Sequence, residues 1–130
     1  MEIKDLGKTS TGLQANVAAL LSYVFGWVTG LIFFFVEKDN KFVRFHALQS
    51  VVVFGALSVL GIIISILSQF FIMLHLYFIS RLFSMASNLL LLAGLILWVI
   101  LMIKAFQGEK FKLPIAGDIV DKMIENSSAK

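Results

Sequence analysis

Three stretches of the chain, residues 9–36, 45–80 and 82–103, contain no Asp, Glu, Lys or Arg. Each exceeds the roughly 20 apolar residues that carry a helix across a bilayer core of about 30 Å. In hydrocarbon a backbone has to satisfy its own polar groups, and a helix does so within one segment. The chain therefore reads as an all-α, polytopic transmembrane helical bundle. Only 44 of its 130 residues lie outside these stretches, too few for a separate soluble domain of ordinary size. A single membrane domain, residues 1–130, is expected. Charged residues make up 15% of the chain, against about 25% in soluble domains, because most of the surface has to face lipid.

The formal net charge is +3. Its basic residues flank the apolar stretches, where they meet headgroups and set topology, so no nucleic-acid partner is expected. The chain has no cysteine, which removes disulfides, thiolate chemistry and Cys-based metal sites. Residues 1–8 mix Glu2, Lys4, Asp5 and Lys8 instead of forming a basic run, and no small-residue cleavage site follows the first apolar stretch. The segment does not read as a signal peptide.

The first span is placed at 13–36, 24 residues or about 36 Å of helix. Thr11-Gly12-Leu13-Gln14 fits a capping box at its start. Within it, Gly26 and Gly30 form a GxxxG pattern that lets another helix approach closely. The second span is placed at 47–67, after a charged loop 37–46 in which Asp39 or Asn40 can cap the next helix. Residues 68–80 contain Gln69, Phe70, Phe71, His75, Tyr77 and Phe78, the aromatic and polar mixture of an interfacial segment. A hairpin of two short crossings is the alternative for 45–80. It would need a reversal, and between Gly61 and Arg81 there is no Gly, Pro, Asn or Asp to make one. The third span is placed at 82–103, with Asn88 facing a neighbouring helix because an unpaired amide in hydrocarbon is costly. Gly108 is a plausible C-cap. In the tail, 104–130, residues Ile115, Ile119, Val120, Met123 and Ile124 recur with helical period opposite Asp118, Asp121, Lys122 and Glu125. That is a short amphipathic helix, either on the membrane or under the bundle, fraying from Asn126.

With three crossings, Lys4, Lys8 and Arg81 share one side and eight basic residues the other. The positive-inside rule then puts loop 37–46 and the tail in the cytoplasm and the N-terminus outside. The expected location is the cell membrane, multi-pass, with a cytoplasmic tail.

Two segments, Phe42–Ser50 (FVRFHALQS) and Ala105–Pro114 (AFQGEKFKLP), stand out with Asn16–Tyr23 and Gly26–Gly30. Together they resemble a family of small, uncharacterised archaeal and bacterial membrane proteins, over about residues 11–122. That family is distantly similar to the channel-forming subunit of the protein translocon in the chloroplast inner envelope, mainly through the FVRFHALQS-like segment and the helix count. The resemblance to the plant subunit implies a channel role and four membrane helices, one more than are read here. The prokaryotic family brings no activity with it.

No catalytic constellation forms. His46 and His75 are 29 positions apart, and no acidic residue lies within a span. Nothing resembles a zinc-protease, phosphate-loop or nucleophile motif. The chain reads as a non-enzyme with no cofactor and no metal. The most suggestive polar group is at the entry to the second span. Glu37, Phe42, Arg44, His46 and Gln49 could form a recognition surface for a headgroup or a partner helix, or could simply anchor the loop, with Arg44 paired to Glu37 or to a phosphate. Phe42 and Phe45 flank Arg44 in a manner suited to the headgroup layer. Gly26, Gly30 and Asn88 are the expected packing positions. The expected surroundings are the lipid bilayer and either a second copy or another membrane protein. Two functions fit: a scaffold or accessory subunit acting by helix association, or an oligomeric pore or translocation component lined by Asn16, Gln49 and Asn88.

Overall fold

A computed structural model describes residues 6–128. The reading of residues 1–8 as no signal peptide thus falls in part, at 1–5, outside the described residues, and so does the end of the tail at 129–130. Five helices follow in order: α1 (Ala15–Val24), α2 (Trp27–Val36), α3 (Lys41–Met73), α4 (Tyr77–Phe106) and α5 (Ala116–Ser128). No strand occurs among the described residues.

The first apolar stretch is not one span. It breaks at Phe25-Gly26 into two helices of 10 residues, each about 15 Å long and half of what a crossing needs. The pair folds back on itself. Ser10, ahead of α1, donates its N–H to both carboxylate oxygens of Glu37, which follows α2, at 2.9 Å. Gly26 makes the reversal at φ 61°, a left-handed conformation that costs glycine nothing. Side chains bond the backbone freed at the turn. Thr29 Oγ1 donates to the Ser22 carbonyl and accepts from Phe25 N–H, both at 3.1 Å. Ser50 Oγ donates to the Gly26 carbonyl at 2.8 Å, and Trp98 Nε1 to the Tyr23 carbonyl at 2.6 Å. Irregular backbone at membrane depth is tolerated only with such cover from protein.

Two helices are long and apolar enough to cross a membrane, not three. Helix α3 has 33 residues and α4 has 30, about 50 Å and 45 Å. The 68–80 segment is not a separate element or a short crossing of its own. It holds the end of α3, a reversal at 74–76 and the first turn of α4. His75 takes the role that Gly or Asn was expected to fill, at φ 60°. The hydrogen bonds His75 N–H to Ile72 O and Leu76 N–H to Phe71 O, both 2.9 Å, complete a Schellman motif. Histidine is among the few residues enriched at positive φ. Gly108 ends α4 in the same way at φ 77°, with Gly108 N–H on Ala105 O and Glu109 N–H on Lys104 O.

The caps divide. Asn40 caps α3 through its side chain, accepting from Val43 N–H at 3.1 Å. The expected capping box at Thr11–Gln14 does not form: α1 starts at Ala15 without a side-chain cap, and Thr11 Oγ1 accepts from Leu13 N–H inside a turn. Helix α5 runs on past Asn126 to Ser128.

The core lies at the end where α1 and α2 join α3 and α4. Ala19, Tyr23, Leu101 and Ala105 form one cluster, flanked by Phe42, Phe54 and Trp98. Phe45 and Leu48 form another with Val120 of α5. Beyond the tip of the α1–α2 hairpin, α3 and α4 continue as a pair. Their outer surfaces are apolar and exposed, including Ile62, Ile66, Leu89 and Leu91. An apolar exposed surface of that extent marks a membrane or a partner. The segment before α1, loop 37–40 and the 107–115 connection all gather at one end of the bundle. The N-terminal segment therefore sits beside loop 37–40, not opposite it as three crossings would require.

Candidate functional site

Two polar assemblies stand out, one inside the core and one on the outer half of α3 and α4.

The inner assembly occupies the shared end of the bundle. Tyr23, His46 and Gln49 are completely buried. Tyr23 Oη lies 2.7 Å from His46 Nδ1, and Gln49 Nε2 donates to the same phenol oxygen at 3.1 Å. The network reaches out to the connection after α4. His46 Nε2 lies 2.9 Å from the Glu109 carbonyl, Gln49 Nε2 donates to the Phe111 carbonyl at 2.9 Å, and Leu113 N–H donates to Gln49 Oε1 at 3.2 Å. These bonds hold residues 109–113 as a strap across α1 and α3. No buried side-chain polar atom among the described residues lacks a partner, and a fully satisfied network of this kind specifies one arrangement of its helices.

Glu37 is also fully buried. It accepts from Ser10 N–H on both oxygens, and from Asp39 and Asn40 N–H at 3.1 and 3.0 Å. Burial pushes its carboxyl up, but the Ser10, Asn40 and Asp39 donors outweigh burial and hold it below the usual carboxylate range. Arg44 does not pair with that carboxylate. Its Nη1 donates to the backbone carbonyls of Phe34 at 3.1 Å and Glu37 at 2.7 Å. Its guanidinium stacks 4.4 Å from the Phe34 ring centre. A cation there closes the C-terminus of α2, where orphan carbonyls and the helix dipole favour it.

Of the residues expected to form a recognition surface, Glu37, His46 and Gln49 have no exposed surface, while Phe42 and Arg44 are half-buried. Phe42 packs on the core, and Phe45 is 1% exposed. Gly26 and Gly30 both face α3, but not as two positions along one helix. Gly26 is the turn, and Gly30 is a close approach, where an added Cβ would stand 2.7 Å from the Ala47 carbonyl. Asn16, Gln49 and Asn88 do not come together as a lining. Asn16 Nδ2 donates to the Phe106 carbonyl at 3.1 Å, Gln49 is in the inner network, and Asn88 is on the outer half of α4. Sequence reasoning missed Tyr23 and Trp98. Their signal was a polar tip on a ring inside an apolar stretch, since a buried Tyr or Trp nearly always finds a partner for it.

The outer assembly is a cleft of about 540 Å³ between α3 and α4, just past the hairpin tip, lined by Phe25, Trp27, Ser58, Gly61, Asn88, Gly94 and Trp98 among others. It runs on into a smaller cleft of about 180 Å³ lined by Ser65, Gln69, Ser84 and Ser87. Ser68 joins the helices from behind, with Oγ 3.0 Å from Ser80 Oγ and 3.1 Å from Ser84 Oγ. At the open face Ser58, Gln69 and Asn88 are exposed, and none makes a side-chain hydrogen bond among the described residues. Asn88 thus lines the α3–α4 cleft with an exposed side chain that makes no hydrogen bond to either helix. Among the described residues, no three or more His, Cys, Asp or Glu come together to hold a metal ion.

A model of the magnetosome magnetite crystal formation protein family matches residues 8–120. Among similar proteins, one UPF0132 membrane protein of Methanocaldococcus jannaschii is 44% identical over 117 residues, covering 90% of this chain and 94% of the relative. A second from the same organism is 38% identical over 111 residues, covering 85% and 71%. A UPF0132 membrane protein of Archaeoglobus fulgidus is 36% identical over 112 residues, covering 86% and 97%. No solved structure matches the chain. These relatives carry the resemblance to prokaryotic membrane proteins and not the one to the chloroplast translocon. The chain is a membrane protein of the magnetosome magnetite crystal formation (MamF/MmsF) family, akin to the archaeal UPF0132 membrane proteins.

Proposed function

We propose that the chain is a non-enzymatic scaffold or accessory subunit that acts by helix association, with the outer α3–α4 cleft as its contact surface. The observation behind this reading is the unpaired amide of Asn88 at the mouth of a largely apolar cleft. In hydrocarbon an unpaired amide costs roughly 2–7 kcal/mol. A hydrogen bond to a neighbouring helix removes that cost and holds the helices together by about 0.6–2 kcal/mol. Gly61 and Gly94 line the same cleft, and their missing side chains let a visiting helix come close. The visitor is a helix of a second copy or of another membrane protein. The family's description names magnetite crystal formation; the proposal for this chain rests instead on its cleft.

A second reading, an oligomeric pore or translocation-like component, draws on the same exposed Ser58, Gln69 and Asn88. Two crossing helices enclose no channel, so it requires several copies. The basic residues favour one orientation. Lys8, Lys38, Lys41, Arg44, Lys104, Lys110, Lys112 and Lys122 belong to the shared end and Arg81 to the other, which argues for a cytoplasmic tail.

Asn88→Leu is the test. It keeps a side chain branched at Cγ while removing the amide. Association predicts loss of the assembled species on native gels of mild-detergent extracts, with the thermal stability of the chain unchanged. An assembled species of the same size and abundance would overturn the proposal.

A further inference from the structure

Helix α5 has more apolar surface than its docking uses. At 3.6 residues per turn, Ile119, Met123, Val120 and Ile124 fall within one arc of about 140°, opposite Asp118, Lys122 and Glu125. Half of the arc is accounted for: Val120 is fully buried against Phe45 and Leu48, and Ile124 packs on the same cluster. The other half is open. Ile119 is 44% exposed, Met123 47%, and Ile115, just before the helix, 76%. Ile115 also sits at φ 70°, a left-handed conformation that costs a side chain of this shape about 1–2 kcal/mol, so an exposed apolar residue is held there against its own preference.

The height of α5 in the bundle says what covers this face. Val120 packs at the level of Phe45 and Leu48, four and seven residues into α3 from Lys41. That is about 6–10 Å from the charged loop, the depth at which amphipathic helices sit between headgroups and acyl chains. Phe34 of α2 packs on the same cluster, and its neighbours Phe35 and Val36 are exposed apolar residues. Ion pairs tie the polar side: Lys112 Nζ is 2.6 Å from Asp121 and 3.2 Å from Asp118, and Lys110 Nζ is 2.9 Å from Asp121. This fixes the rotation of α5 on the bundle.

We propose that α5 lies in the headgroup–acyl boundary of the leaflet that the α1–α2 hairpin enters. Ile115, Ile119 and Met123 contact acyl chains, and the acidic and basic face meets water. The strap bonded to His46 and Gln49 then connects a lipid-seated helix to the buried network.

The chain has no cysteine, so single-cysteine variants report one position each. Full-length Ile119→Cys, Met123→Cys and Glu125→Cys would carry a nitroxide in phosphatidylcholine–phosphatidylglycerol vesicles, with collision rates measured for oxygen and for a water-soluble nickel chelate. The expected result is oxygen exceeding nickel several-fold at 119 and 123, and the reverse at 125. Nickel access at 119 and 123 equal to that at 125 would overturn the proposal in favour of a water-exposed face. Protection from both reagents would overturn it in favour of a covering protein. Ile115→Cys, outside the helix, gives the same reading should a helical label disturb docking.

Discussion

The carboxylate of Glu37 is held by backbone N–H groups of Ser10, Asp39 and Asn40, and no cation contacts it among the described residues. One side chain thereby joins the start of α1, the end of α2 and the cap of α3. Because its folded pKa is depressed from the ordinary 4.5, its contribution to stability is fully present above that value and is lost as pH falls through the depressed one. Melting temperature in detergent should therefore drop on acidification below about pH 4. Asp121, also held low against the effect of burial by Lys112 and Lys110, titrates in the same window, so the comparison with Glu37→Gln isolates the term. That variant should be less stable at neutral pH by about 1–3 kcal/mol and show a shallower acid limb; an acid limb as steep as in the parent would contradict the assignment. Side chains at this scale were legible in type but not in surroundings. His46 and Gln49 stood out as polar residues at the entry to the second span, yet their burial depends on Tyr23 and on the 109–113 strap. Those contacts span 23 to 64 positions, and no local pattern encodes them.

At the level of elements, a continuous apolar stretch carried the most misleading signal. Residues 13–36 are long enough to cross, and Gly26–Gly30 reads equally well as a packing motif and as a turn. What decides for the turn is Thr29 and Ser50, which bond the exposed carbonyls of Ser22 and Gly26. The reversal at His75 was hidden for the opposite reason, since it lacks the residues that usually advertise one. A positive φ at His75 makes a prediction that separates it from an ordinary helix position. His75→Gly should hold or raise stability, by up to about 1 kcal/mol, despite losing the 2.9 Å contact between His75 Nδ1 and Tyr77 Oη. His75→Val should lower it by about 1–2 kcal/mol. Chemical unfolding of both variants checks this, and equal stabilities would remove the left-handed turn. The amphipathic period of α5 and the caps at Asn40 and Gly108 were legible, because each is set by a few consecutive residues.

For the molecule as a whole, class and helical content followed from hydropathy, whereas the number of crossings did not, since hydropathy measures length and not direction. Two long apolar helices and a doubled-back hairpin bring the segment before α1, loop 37–40 and the 107–115 connection to one end. Membrane-impermeant maleimide should thus label Thr9→Cys, Lys38→Cys and Lys110→Cys from one side of sealed vesicles and Leu74→Cys from the other. Labelling of Thr9→Cys together with Leu74→Cys would restore a first span that crosses. The same architecture leaves the outer half of α3 and α4 without a further neighbour among the described residues, and the proposed association places one at the exposed Asn88.

Photocrosslinking in native membranes, with a benzophenone amino acid at Asn88 in one variant and at Ile63, away from the cleft, in another, tests association most directly. The account predicts protein adducts from position 88, with a second copy or another membrane protein identified by mass spectrometry, and lipid adducts alone from position 63. Lipid adducts alone from both positions would contradict it.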